Sequence, residues 1–175
     1  GCSIGQDGFG YATARAAGEE HTRHHKIPPA GIAVVEDDVE MGAGCSVDRA
    51  TMGRTVIGAG TKFSNDVTIG HGCRVGRFNL FVAQVGLAGS VTTGDHVVLG
   101  GQVGVAGHLT IGAGAQVAAK SGVMHDLPAG AQYGGTPARR LSQAKRAILA
   151  GEQVPDLLRR VAALEKALAA RDDTA

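Results

Sequence analysis

The chain has 175 residues, 43% of them hydrophobic, and a formal net charge of +1; this excludes a disordered composition and the strong basic field that binds nucleic acid non-specifically. Glycine is abundant at 28 residues, while aromatic side chains make up only 3% and Trp is missing. A core without large rings must stack small and branched side chains regularly, which points to a repeat architecture.

The sequence begins at Gly1 rather than Met, with no secretory signal ahead of it, so a truncated chain is expected. Ile4-Gly5 reads as a first repeat unit. Residues 10–31 then break the pattern and are expected to form a loop excursion, a feature that is usually functional or disordered. The repeat resumes with Val35, Met41 and Val47, after which four extra residues enter between Asp48 and Thr55. From Ile57 to Val123 every sixth residue is a column member, and eleven of these twelve are apolar, Thr93 being the exception. Gly or Ala follows nine of the twelve. A second apolar column, including Val67, Cys73, Val85, Val91, Val97 and Val103, runs two residues ahead of the first.

A period of six is neither helical nor alternating; it is the hexapeptide signature of a parallel β-helix. Each hexad makes one flat side of a triangular coil, with the large residue inside and the small one at the corner, where glycine would also accept unusual backbone angles. Three hexads, 18 residues, close a coil, and coils stack about 4.8 Å apart. The spacing does not fix the hand; the known hexapeptide families imply a left-handed coil. The fold expected is all-β, a β-helix over 1–128 with a C-terminal helical extension over 129–175. Thr136-Pro137 reads as an N-cap with Pro at the first helical position, starting a helix that ends near Ala150 before Gly151. A second helix is expected from about Pro155, with Leu157, Val161, Leu164 and Leu168 forming a stripe suited to another subunit. No apolar run reaches the roughly 18 residues of a membrane span. Cys2, Cys45 and Cys73, odd in number and widely spaced, fit neither a disulfide framework nor a zinc motif, and suggest a reducing, cytoplasmic setting.

Register then selects among seven histidines. His71 stands two places after Ile69, outward, and Gly89 and Gly107 follow it in the same column, one and two coils above. An imidazole beside an uncovered peptide N–H is a minimal acyl-transfer site: the ring takes a proton and the N–H binds an oxyanion. A solvated surface histidine gives the same spacing. His108 is one step off the column and can line the same groove. His96 is out of phase. His125 is in phase but beyond the regular repeat. His21, His24 and His25 form an HxxHH cluster in the excursion, read as a polar loop rather than a metal site.

Several segments carry a resemblance: IGQDGFGYA (4–12), KIPPAGIAVVEDDVEMGAG (26–44), VDRA (47–50), TVIGAGTKFSNDVTIGH (55–71), GGQVGVAGHLTIG (100–112) and YGGTPAR (133–139). In order and spacing the chain resembles UDP-3-O-(3-hydroxyacyl)glucosamine N-acyltransferase, the LpxD type of hexapeptide-repeat acyltransferase. The resemblance implies a homotrimer with sites in grooves between subunits. It implies transfer of a 3-hydroxyacyl chain from acyl carrier protein to the 2-amine of a UDP-acylglucosamine in lipid A biosynthesis. His71 would be the general base and Gly89 the oxyanion donor. His108, Gly107 and Gly122 would line the acyl-phosphopantetheine groove, with Gly122 leaving room for a long chain. No cofactor or metal would be bound, since the carrier supplies the acyl-phosphopantetheine. The C-terminal helices would cluster in the trimer and help receive the carrier. The family's N-terminal uridine-binding domain is expected to be missing from this stretch. Seven residues before the base the family usually has Asp; here Ser64, Asn65 and Asp66 are the candidates for supporting it. The related O-acyltransferase, a metalloenzyme of the γ-carbonic anhydrase type and a non-catalytic scaffold stay open as alternatives.

Overall fold

The computed structural model describes residues 1–15 and 21–172, and side chains through residue 166. The hexads fold as a three-sided parallel β-helix. The first face stacks Ser3–Gln6, Ser46–Asp48, Thr68–Ile69, Gly86–Leu87, Gly104–Val105 and Gly122–Val123. The second stacks Ile32–Val35, Arg54–Ile57, Arg74–Val75, Thr92–Thr93 and Thr110–Ile111. The third runs from Glu40–Met41 through Lys62–Phe63, Leu80–Phe81, Val98–Leu99 and Gln116–Val117 to Gln132–Gly134, closed by the antiparallel Arg139–Arg140. Partners lie 18 residues apart through the regular part, as Leu87↔Ile69 and Leu87↔Val105 show. The last rung is shorter, pairing Gln116 with Gln132, 16 residues on.

Both apolar columns point inward. Val47, Ile57, Ile69, Leu99, Ile111 and Val123 are fully buried, as are Val67, Val85, Val91, Val97 and Val103 at the corners. Phe63 and Phe81 stack inside the third face with centroids 5.1 Å apart. Thr93, the polar exception in the column, has a structural reason. Its hydroxyl accepts from the Gly76 N–H at 3.1 Å and from Asn79 Nδ2 at 2.8 Å, while Asn79 Oδ1 accepts from the Val97 N–H at 2.6 Å. Among the described residues no buried side-chain nitrogen or oxygen lacks a partner.

The corner glycines work differently from the sequence expectation. Gly58, Gly70, Gly76, Gly94, Gly100 and Gly112 keep ordinary backbone angles; a Cβ at Gly76 would stand 2.4 Å from the carbonyl oxygen of Gly94. They are small because successive coils touch there. The left-handed φ falls two residues later, at Phe78, Gln84, Ser90, His96, Gln102, His108 and Lys120.

The C-terminal part corrects a second expectation. The Thr136-Pro137 bond is cis and leads into the edge strand rather than capping a helix. One continuous helix then runs Leu141–Asp172 with both Gly151 and Pro155 inside it. The proline ring faces the carbonyl of the residue four back. That residue is Gly151. Ile148, Leu149, Val154, Leu157, Leu158, Val161 and Leu164 are exposed along it; Leu168 of the expected stripe lies outside the described side chains. No helix is long and apolar enough to cross a membrane among the described residues.

Candidate active site

Two excursions leave the β-helix at one corner, the corner that carries His71. The first follows Ser3–Gln6 and returns at Ile32; the second is the four-residue insertion after Ser46–Asp48, which shifts the pairing of Ile32 with Arg54 to 22 residues. Both lie below Ile69, because Ile4 pairs with Val47 and Val47 with Ile69. The lower excursion is an ordered antiparallel hairpin, Tyr11–Ala14 against Arg23–Lys26. Residues 16–20 of the excursion lie outside the described residues.

The base of the hairpin is tied down by the residues of the VDR segment. Gln6 Nε2 donates to Asp48 Oδ1 at 3.0 Å, and Arg49 donates from Nε to the Gly5 carbonyl at 2.8 Å and from its backbone N–H to the Gln6 carbonyl at 2.9 Å. Lys26 Nζ meets Asp7 Oδ2 at 2.5 Å. Each member of that ion pair shifts the other: Lys26 holds the Asp7 carboxyl below its usual range, and Asp7 holds the Lys26 ammonium above its own.

The hairpin, the inserted Thr51 and His71 line an open pocket of about 650 Å³. Its lining is Phe9, Gly10, Tyr11, Thr13, His24, Ile27, Thr51 and His71. Phe9 and Tyr11 meet edge to face at 5.2 Å. The wall is thus mostly apolar, with imidazoles of two different elements as its strongest polar groups. His24 Nδ1 lies 3.1 Å from the Thr13 hydroxyl across the hairpin. Sequence reasoning missed this wall. The DGFGYA and KIP segments carry the family resemblance, but nothing in a six-residue period says which coil an excursion folds over.

His71 is half-buried. A Cβ at Gly89 would stand 2.6 Å from His71 Nε2 and 2.7 Å from Cε1, so the ring lies directly against the bare Gly89 peptide of the next coil. The Ser90 N–H donates to the His71 carbonyl at 2.8 Å and the His108 N–H to the Gly89 carbonyl at 3.0 Å, which locks three coils in register. At the neighbouring corner the side chain of Asp95 reaches down and takes the Arg77 N–H at 2.8 Å. Gly107 stands above Gly89 in the same relation and has no side chain to do so. Among the described residues, no acceptor takes the Gly89 N–H.

The remaining sequence candidates distribute as follows. Gly107 and His108 sit at the His71 corner two coils up, with His108 exposed. Gly122 is on the adjoining first face, above Gly104. Its outer side is not open: a Cβ there would stand 3.1 Å from the Thr136 methyl. Ser64, Asn65 and Asp66 lie at the corner that precedes the first face, so a whole side of the prism separates them from His71 in one chain. Asn65 Oδ1 is occupied by the Ala43 N–H of the coil below at 2.9 Å, and none of the three bonds to the imidazole. His96 stacks on Phe78 at 5.3 Å and His125 meets Tyr133 edge-on at 6.1 Å, both away from the cavity. His24 and His25 are consecutive strand residues and so face opposite ways. Among the described residues no group of three or more His, Cys, Asp or Glu side chains is gathered as a metal site.

Searched against known proteins, the chain matches no family model. Curated relatives do match. A UDP-3-O-acylglucosamine N-acyltransferase of Anaeromyxobacter sp. (strain Fw109-5) is 55% identical over 162 residues, covering 92% of this chain and 46% of the relative. Proteins of the same name from Helicobacter hepaticus and Methylobacterium nodulans are 49% identical over 143 residues and 46% over 139, with 42% and 38% of their lengths covered. The chain therefore spans under half the length of these relatives. Among solved structures, LpxA of Acinetobacter baumannii aligns with a TM-score of 0.66 at 27% identity, over 80% of this chain and 50% of that one. The UDP-N-acetylglucosamine O-acyltransferase of Moraxella catarrhalis aligns with a TM-score of 0.66 at 26% identity, over 83% of this chain and 55% of that one. The hexads, the coil register and these relatives converge: the chain belongs to the hexapeptide-repeat acyltransferases with a left-handed parallel β-helix, in the UDP-3-O-acylglucosamine N-acyltransferase family.

Proposed function

We propose that the protein moves a 3-hydroxyacyl chain from acyl carrier protein to the 2-amine of UDP-3-O-acylglucosamine, a step in lipid A assembly, with His71 as general base. The observation that carries this reading is the contact of the His71 ring with a bare Gly89 peptide whose N–H has no acceptor among the described residues. The amine nitrogen attacks the thioester carbonyl and His71 removes its proton. The carbonyl oxygen, now negative, accepts from the Gly89 N–H. The carbon–sulfur bond then breaks, and the imidazolium returns the proton to the departing phosphopantetheine thiolate.

The carrier brings the acyl-phosphopantetheine, and the protein itself needs no bound cofactor or metal. His108 and Gly107 continue the groove upward, while the Thr136 methyl over Gly122 limits its room there. The exposed apolar residues of the terminal helix support a homotrimer and a surface for the carrier. Support of the base by Ser64, Asn65 or Asp66 would have to come from a neighbouring protomer. A nucleotide-sugar acceptor and a carrier thioester place the reaction in the cytoplasm, in line with three free thiols.

The test incubates full-length protein with a 3-hydroxyacyl carrier thioester and either the amine acceptor or UDP-N-acetylglucosamine, with products read by mass spectrometry. An amide product from the first acceptor alone is expected. An ester product from the second would assign the O-acyl reaction of the structural neighbours instead. His71→Ala should lower the rate by about 10²–10⁴ without unfolding the β-helix; an unchanged rate refutes the assignment of the base.

A further inference from the structure

Gly8 packs against His71 more closely than a side chain permits. A Cβ at Gly8 would stand 2.7 Å from His71 Cβ and 3.3 Å from both Cγ and Cδ2. Gly8 has no left-handed φ, so its backbone conformation does not call for glycine. Only the close approach does. Gly89 of the next coil has the same property: an ordinary φ, and a Cβ that would stand 2.6 Å from Nε2. Two bare peptides therefore crowd the His71 side chain, Gly8 of the excursion at its root and Gly89 of the next coil at its Nε2–Cε1 edge.

The excursion wall is held in place on both sides of Gly8. Gly5 and Gln6 are bonded to Arg49 and Asp48, Asp7 pairs with Lys26, and the Gly10 carbonyl accepts from the Ile27 N–H at 3.0 Å. By contrast, among the described residues no protein group hydrogen-bonds to the His71 ring nitrogens. Among the described residues the ring is approached by bare peptides instead.

We propose that Gly8 is a positioning residue, whose bare peptide closes a slot with Gly89 and fixes the orientation of the His71 imidazole. The proposal rests on His71 being the base. Because the closest contact is with Cβ, the root of the side chain, rotating the ring does not relieve a clash. A larger residue at position 8 lifts the loop and opens the slot.

The test uses full-length Gly8→Ala. If the slot positions the base, kcat falls on the order of a hundredfold while KM stays within about twofold, and the ¹⁵N signals of the His71 ring, assigned by their loss in His71→Ala, move or broaden. Wild-type kcat with unchanged ring signals overturns the proposal. A stability cycle covers the case in which Gly8→Ala itself destabilises the protein. The melting-point loss of Gly8→Ala should largely vanish in a His71→Gly background, where the clashing Cβ is gone. A loss that persists undiminished shows that glycine is required for another reason. The ring signals and the cycle do not depend on turnover, so a wild-type protein without transfer activity refutes the function while these readouts still judge the slot.

Discussion

Cys73 is fully buried at a corner, with its Sγ donating to the Ala88 carbonyl at 3.1 Å. Burial pushes its thiol up to about 11. A thiol held protonated by the fold stabilises fully below the pKa of the unfolded chain, and that contribution declines as pH climbs from there toward the folded value. The loss should reach at most about 3 kcal/mol. Melting curves between pH 7 and pH 11 should fall steeply for the native protein and less steeply for Cys73→Val; parallel curves would refute this. Exposed Cys2 should be alkylated well before Cys45 and Cys73. At this scale the sequence was informative wherever counting suffices. Adding 18 to His71 reaches Gly89, and the structure places the ring against that glycine. Gly8 escaped because an excursion follows no period, and its approach to His71 is a tertiary contact.

For the corner elements, the size of a residue and its angle are separate demands. Gly76 meets the carbonyl of the coil above, whereas nothing lies within 4 Å of a Cβ built at Gly104. Gly76→Ala should therefore cost about 1–3 kcal/mol through overpacking, and Gly104→Ala less than about 0.5 kcal/mol. Chemical denaturation of the two variants compares them directly, and equal losses would contradict the stacking account. The hexads made the small-residue column legible, but not its cause: the left-handed turn residues are Phe, Gln, Ser, His and Lys as often as Gly. The helix was misread for a related reason. Gly151 and Pro155 each signal a stop when taken singly. Here neither ends it, and one helix runs through both.

On the scale of the whole molecule, the helix touches the Gln132–Gly134 and Arg139–Arg140 strands and exposes apolar residues beyond them, the surface proposed for the trimer. Sedimentation should report three copies, and truncation after Arg140 should shift the population toward monomer with the β-helix still folded. A truncated form that stays trimeric would move the contact to the coils. The repeat and its register were readable over most of the chain, since a solenoid reports its own geometry every six residues. The cavity was not, since it arises where the period fails twice at one corner. That coincidence separates two tasks. The rungs above hold the His71 ring against Gly89 through the regular coil register. Both interruptions enter below them, outside the ladder, where the six-residue beat no longer dictates which residues face the pocket. Most of the pocket's lining is thus drawn from segments that the repeat does not dictate.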